Sequence, residues 1–334
     1  MARYILRRLL LLVPVLFGVC LATFMVMHLF TVDPTSIILG EHATTDRVLA
    51  LREQLGLNQP LYVQFGHYLA HAVQGDLGQS VITRTSISDE LMQRFPATIE
   101  LAGMALIIAA VMGIGLGVIS AVRQNSLWDY GSMVVALLGV SMPIFWLGLM
   151  LIIVFSVFLG WLPASGRIGI GLEPDHFTGL FILDALLTGD FEIFIDSVKH
   201  LILPAIALGS YSTAIIARMT RATVLETIRQ DYIRTARAKG LKENVVIVKH
   251  ALRNAMIPII TVIGLQMGSL LGGAVLTETV FSWPGIGSYV IEGIMKADYP
   301  RVQGAVLLIA TIFVVVNLLV DILYSYLDPR IQHS

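Results

Sequence analysis

Few residues in this 334-residue chain have the type and spacing for covalent chemistry. Its lysines are Lys199, Lys239, Lys242, Lys249 and Lys296, and none follows a glycine. The Gly-x4-Gly-Lys-Ser/Thr loop that cradles nucleotide phosphates is therefore absent, as are His-Glu-x-x-His and Gly-x-Ser-x-Gly. His67 and His71 stand four apart on one helical face. They lack further ligands, so a surface or packing role is expected and no metal. Other ionisable groups stand out by where they fall. Glu278, Asp321, Glu100 and His28 lie in or at the ends of long apolar runs, where a central charge costs roughly 2.5–3.5 kcal/mol on the insertion scale. Glu278 and Asp321 are candidates for lining or gating a pathway, or for pairing; the alternative is end-of-span groups that reach the interface or pair within the bundle. That alternative is the expectation for Glu100 and His28. Trp283-Pro284-Gly285, beside Glu278, reads as a re-entrant turn at an outer gate. Trp283 alone suits an interfacial aromatic belt.

The elements that carry these groups are apolar. The chain is 56% hydrophobic and 13% charged, with a mean hydropathy of +0.80, against about 25% charge in a typical soluble domain. Six windows reach the length needed to cross a bilayer: about Leu9–Phe30, Thr98–Val122, Gly131–Leu159, Leu201–Ala217, Ile257–Val280 and Ala305–Leu327. The first window exceeds the apolar core of a signal peptide and lacks a small-x-small cleavage site, so a retained span is expected. The fold class expected is an all-α integral membrane protein with six transmembrane helices. With both termini inside, 14 Lys and Arg fall on cytoplasmic segments and 8 on the longer outer ones, the sense that the positive-inside rule favours. Residues 1–96 then hold the first span and a helical outer segment; residues 97–328 hold the other five. The single cysteine, Cys20, allows no intrachain disulfide. The net charge of −1 carries no signal for nucleic acid, and none is expected as a partner.

Between the spans, Thr45–Asp46 can cap a helix ended by Gly56, Leu61 to Val73 have helical spacing stopped by Gly75, and Ser88 with Asp89 and Glu90 can start a helix leading to Pro96. Such helices suit the outer membrane surface or a partner. Gly160 to His200 reads as a loop with one or two short helices. Gly113, Gly115 and Gly117, and the pairs Gly264/Gly268 and Gly268/Gly272, suit close helix crossing within one subunit or against a second. Pro143 and Pro204 should kink their spans. Nine of the 22 Lys and Arg lie in one interval, Arg218 to Pro258. At its tip Asp231 can cap a short helix through Lys239, ended by Gly240, and Asn244 can start the next. A small face of Ala236 and Ala238 beside Arg234, Arg237 and Lys239 suits docking into a partner's groove, or the bases anchor to anionic lipid.

DYIRTARAKGL at 231–241, followed by HALRNAMIP at 250–258, resembles the cytoplasmic coupling loop of binding-protein-dependent ABC importer permeases, the peptide group in particular. That family's loop reads Glu-Ala-Ala, three residues, Gly, and later Ile-x-Leu-Pro. Here the triplet is Arg234-Thr235-Ala236, Gly240 matches, and the later slot reads His250-Ala251-Leu252-Arg253 with proline delayed to Pro258. Further stretches resemble the first permease subunit of dipeptide importers. They are Arg7-Arg8, GDLGQS at 75–80, SMPIFW at 141–146, ILPAIALG at 202–209, LTETVFSWPGIG at 276–287 and DYPRVQG at 298–304. The resemblance implies a type I ABC importer permease in the bacterial inner membrane. It implies no catalytic activity and no cofactor on this chain, ATP and Mg being held by two partner ATPases. A second, related permease, a peptide-binding protein outside and membrane lipid are the other implied partners. It assigns coupling to Asp231, Tyr232, Arg234, Thr235, Ala236, Arg237, Gly240 and Leu241. Other cargoes (oligopeptides, glutathione, nickel chelates) fit the same architecture. A stand-alone secondary transporter should instead show paired mid-membrane charges and inverted repeats, which the sequence lacks.

Overall fold

The computed structural model describes residues 2–30, 35, 39, 44–54, 57–172, 174 and 177–327, except the side chains of 2–9, 27–30, 51, 54, 321 and 323–327. Their regular structure is helical, apart from one isolated bridge between Gln79 and Ser86. The first helices are α1 (Ala2–Phe30), α2 (Thr45–Gln54), α3 (Leu61–Val73) and α4 (Ile87–Val122). Next come α5 (Leu127–Ser141), α6 (Ile144–Phe158, its second half a π-type coil), α7 (Phe181–Thr188) and α8 (Phe191–Ile228). The chain ends with α9 (Asp231–Ala238), α10 (Glu243–Val280, π-type over Val246–Leu252), α11 (Ile286–Met295) and α12 (Tyr299–Leu327).

Among the described residues, four helices are long and apolar enough to cross a membrane: α4, α8, α10 and α12. The pair α5–α6 makes a fifth if counted as one span, but it is bent by 110°. The third span, expected to kink at Pro143, is thus broken there. Met142 precedes Pro143 and is forced into extended backbone (φ −99°, ψ 136°), so α5 stops at Ser141 and Pro143 opens α6. In α1 the apolar stretch with described side chains, Leu10–Val26, is shorter.

Other boundaries also differ from expectation. The helix foreseen to lead to Pro96 and the second span are one 36-residue helix, α4, with Pro96 inside it. Its start is marked by Ser86, whose Oγ accepts from Asp89 N at 3.3 Å; Ser88 Oγ donates instead to Gly75 O. The fourth span begins ten residues early, at Phe191, because Asp190 caps it by accepting from the amides of Glu192 and Ile193. The helix Leu61–Val73 ends as foreseen, with Gly75 at φ +81°. Gly56, expected to end α2, lies outside the described residues.

The chain divides into two compact units. One comprises Ala2–Thr98 and Pro284–Val314. Here Phe65 of α3 meets Phe17 and Phe24 of α1 edge-on at 5.6 and 5.3 Å. Ile87 and Leu91 pack on Ile286, Tyr289, Val290, Val302 and Ala305. Two motifs far apart in sequence meet in this unit. Ser80 of GDLGQS donates to Asp298 of DYPRVQG, which also accepts from Val81 N. Tyr289 Oη donates to Glu90 at 2.7 Å while Arg301 stacks 3.8 Å from its ring. Burial, then the Glu90 carboxylate, push the Tyr289 phenol well above its usual range, so it stays a donor.

The other unit comprises Ile99–Trp283 and the chain from Val315 onward. Its centre is α8, 72% of whose most apolar stretch is buried within the chain, against 33% for α4 and 28% for α10. Close approach is made by missing side chains. A Cβ on Gly113 would come within 2.8 Å of Ile216, and one on Gly117 within 2.6 Å of Ala217 O. A Cβ on Gly209 of α8 would meet Ala105 O, and one on Gly139 of α5 would meet Ser210 O, both at 2.7 Å. Gly115, between the first two, faces open space. Gly264 packs on Val320 of the same chain and Gly268 is buried, whereas a Cβ on Gly272 would meet nothing within 4 Å.

Gly117→Ala must push against backbone, so it is expected to destabilise the chain by about 1–3 kcal/mol, the usual cost of overpacking. Gly115→Ala should be neutral. Unfolding of both variants in titrated denaturing detergent measures the difference.

Candidate coupling site

The basic interval folds into the end of α8, the short helix α9 and the start of α10. Gln230 is extended (φ −72°, ψ 150°) and separates α8 from α9. It takes the N-cap place expected of Asp231, with no side-chain cap; Asp231 instead sits in the first turn, where an acid complements the helix dipole. Similarly, the next helix starts at Glu243 rather than Asn244.

The sequence DYIRTARA decides which side of α9 is buried. Ile233 and Ala236, three apart, share a face and pack with Ile228 of α8 and Val246 and Ala251 of α10. Ala238 lies about 200° around the helix from Ala236 and is exposed. The expected small face therefore does not exist: Ala236 points into this chain and Ala238 away from it. Asp231, Tyr232, Arg234, Thr235, Arg237, Gly240 and Leu241 are all on the surface. Arg234 leaves 83% of its side chain exposed.

Behind α9, Gly240 takes φ +76° and its N–H donates to Arg237 O. A side chain there would cost about 1 kcal/mol for the left-handed backbone, yet would meet no atom of this chain. Arg237 reaches across this turn to Glu243, with Nη2–Oε1 at 2.6 Å and Nε to both oxygens. Those hydrogen bonds raise the guanidinium's already high pKa. Asn254 donates to Tyr232 Oη at 2.9 Å, laying that ring along α10.

A second cluster lies seven residues before the end of α8. Arg221 holds Asp129 of α5 through two bonds, Nε–Oδ1 and Nη2–Oδ2, both 2.9 Å. Asp129 also accepts from Ser120 of α4 and from Asn125 N at 3.0 Å. Its side chain is 4% exposed. One of the nine bases of the loop is thus an internal partner. The sequence marks Asp129 only as an acid at the start of an apolar run, and the arginine that answers it is 92 residues away.

The other candidates sit differently. Glu100 does pair: Arg167 Nη2 lies 2.6 Å from its Oε2, with both side chains buried. Its Oε1 accepts from Ile182 N in the first turn of α7. Arg167 also donates to Gly179 O and stacks 3.6 Å from the Phe181 ring. Burial pulls the Arg167 pKa down against the opposing pull of Glu100. Trp283 is 1% exposed, so it is no lipid-facing belt residue; it closes the end of α10 by donating its N–H to Glu278 O at 2.8 Å. Glu278 is fully buried, not reaching an interface. Pro284 is exposed and Gly285 precedes α11. The side chains of Asp321 and His28 lie outside the described residues. His71 meets Asp76 at 3.2 Å, and no metal-binding cluster occurs among the described residues.

Residues 113–333 match the family described as binding-protein-dependent transport system inner membrane component. Residues 1–102 match the N-terminal region of such membrane components. The chain belongs to this family. It is a multi-pass inner-membrane protein of all-α fold. Among curated relatives, it is 53% identical to a dipeptide transport system permease protein of Alkalihalophilus pseudofirmus, over the whole of both chains. It is 50% identical to a di/tripeptide transport system permease protein of Pseudomonas aeruginosa, again over both whole chains. A glutathione transport system permease protein of Escherichia coli is 42% identical over the same extent.

Ala236→Leu has to enlarge a packed cluster and is expected to loosen the loop, whereas Ala238→Leu should leave it intact. Limited proteolysis of the two variants, read as the rate of cleavage between α8 and α10, checks this.

Proposed function

We propose that this chain is the first permease subunit of an ABC importer for dipeptides, coupled to ATP hydrolysis on partner chains. The observation that carries the proposal is the split character of α9. Its apolar side is welded to α8 and α10, and its other side offers Tyr232, Arg234, Thr235 and Leu241 to a partner. The whole-length relatives named for dipeptides support the cargo. In this reading α1, α4, the α5–α6 pair, α8, α10 and α12 are six crossings with both termini in the cytoplasm. Two ATPases, a related second permease and an external peptide-binding protein complete the machine. The chain itself is non-catalytic and binds no cofactor.

The mechanism follows from the anchoring. α9 cannot move alone, because Ile233 and Ala236 are locked between Ile228 and Val246. A push delivered to its exposed side therefore moves the inner ends of α8 and α10. Glu278 and the turn at Trp283-Pro284-Gly285 lie at the opposite end of α10, where that motion would open or close the pathway. Asp321 is the candidate on α12. The relative named for glutathione favours a second cargo, which the transport assay separates.

The test is uptake by proteoliposomes holding both permeases and the ATPases, supplied with peptide-loaded binding protein. Labelled dipeptide should enter only with ATP, and unlabelled dipeptide should compete better than glutathione or a nickel chelate. Gly240→Trp should leave the chain in the membrane and abolish ATP-driven uptake. Uptake by this chain alone without ATP, or normal uptake in Gly240→Trp, would overturn the reading.

A further inference from the structure

We infer that Arg221 and Asp129 form a positioning pair that carries the displacement of α9 into α4 and α5. This rests on the importer reading above. The pair's position is the first argument. Arg221 lies on α8 seven residues before its last residue, Ile228, about 10 Å of unbroken helix. Ile228 is the residue of α8 that packs on Ile233 and Ala236. A push on α9 therefore enters α8 two turns from the pair.

The saturation of the carboxylate is the second argument. Both oxygens of Asp129 are occupied, by donors from three segments: Ser120 of α4, Asn125 in the turn and Arg221 of α8. Arg221 Nε also donates to Ser120 Oγ at 2.8 Å. One buried carboxylate thus ties the inner ends of α4, α5 and α8. Stability alone does not call for it, since a polar contact between membrane helices adds little to close packing. These helices are already packed at Gly113, Gly117 and Gly139. Apolar contacts, however, let helices slide past one another. A bidentate guanidinium–carboxylate pair is directional and resists sliding and rotation. Its removal leaves α8 free to absorb the push locally, so that ATP is spent while α4 and α5 stay in place.

The experiment uses the complete importer in proteoliposomes and measures dipeptide taken up per ATP hydrolysed. Asp129→Asn should retain binding-protein-stimulated ATPase but lower this ratio by about fivefold or more, the low end of ordinary coupling between sites. Arg221→Lys, which keeps the charge but loses the fork, should recover part of the ratio. Should Asp129→Asn not assemble, Ser120→Ala removes a single donor and is read the same way, with a smaller drop expected. Uptake and ATPase falling together, at constant ratio, would mean that the pair only holds the fold and would overturn the inference. Absence of ATP-driven uptake in the unaltered protein would instead refute the importer reading itself.

Discussion

Lipid gives this chain no hydrophobic reason to hold its helices together, because the surrounding tails are as apolar as leucine. In the larger unit, two kinds of contact add to apolar side-chain packing: backbone against backbone, and buried charge against its partner. The first kind lies along the apolar length of α8, at Gly113, Gly117, Gly139 and Gly209. The second lies near the start of α5 and at the first turn of α7. Asp129 gathers Ser120, Asn125 and Arg221. Glu100 gathers Arg167 and the first turn of α7. An acid buried without such partners would cost several kcal/mol, so each of these sites constrains several segments at once.

The arrangement leaves the helices stiff where they end and smooth where they cross the membrane. In the proposed coupling role, a short helix mounted on such ends is a handle. α9 is too short to be stable in isolation and owes its shape to Ile233 and Ala236 sitting in the fork between α8 and α10. The Arg237–Glu243 bridge spans the Gly240 turn, but it is half exposed and contributes little to stability. Its effect is to fix the angle between α9 and the start of α10.

The sequence made the apolar runs, the basic interval and the α9–Gly240 unit legible, because each is a local pattern. It misjudged what depends on distant neighbours. Trp283 has the composition of a belt residue and is buried instead. The glycines of α4 and α10 looked alike as motifs, yet a Cβ on Gly117 would meet backbone, one on Gly264 would meet the Val320 side chain, and one on Gly115 or Gly272 would meet nothing within 4 Å. Periodicity cannot distinguish these cases, since it reports a face and not what lies opposite. Prolines did not act alike: the bend expected at Pro143 is a break of 110°, whereas Pro96, expected to close a helix, lies inside the continuous α4.

The same distinction explains how the coupling loop departs from its family's pattern. The two positions that match, Ala236 and Gly240, are those whose residue type this chain itself requires. Ala236 is confined by Val246 and Ala251 and cannot grow. Gly240 needs a positive φ that side chains resist. The positions that differ, Arg234 and Thr235, are exposed and reach only back within α9, Arg234 to the Asp231 carboxylate at 3.5 Å and Thr235 Oγ1 to Asp231 O at 3.0 Å. Their constraint must come from outside the chain. Arg234 stands where the pattern carries glutamate, so the charge offered at that point is inverted. A docking surface shaped for the acidic version would repel this one, and a matching surface must offer an acid or a carbonyl to the guanidinium. The buried half of α9 thus specifies how the helix is built, and in the proposed coupling role the exposed half would set which partner fits it.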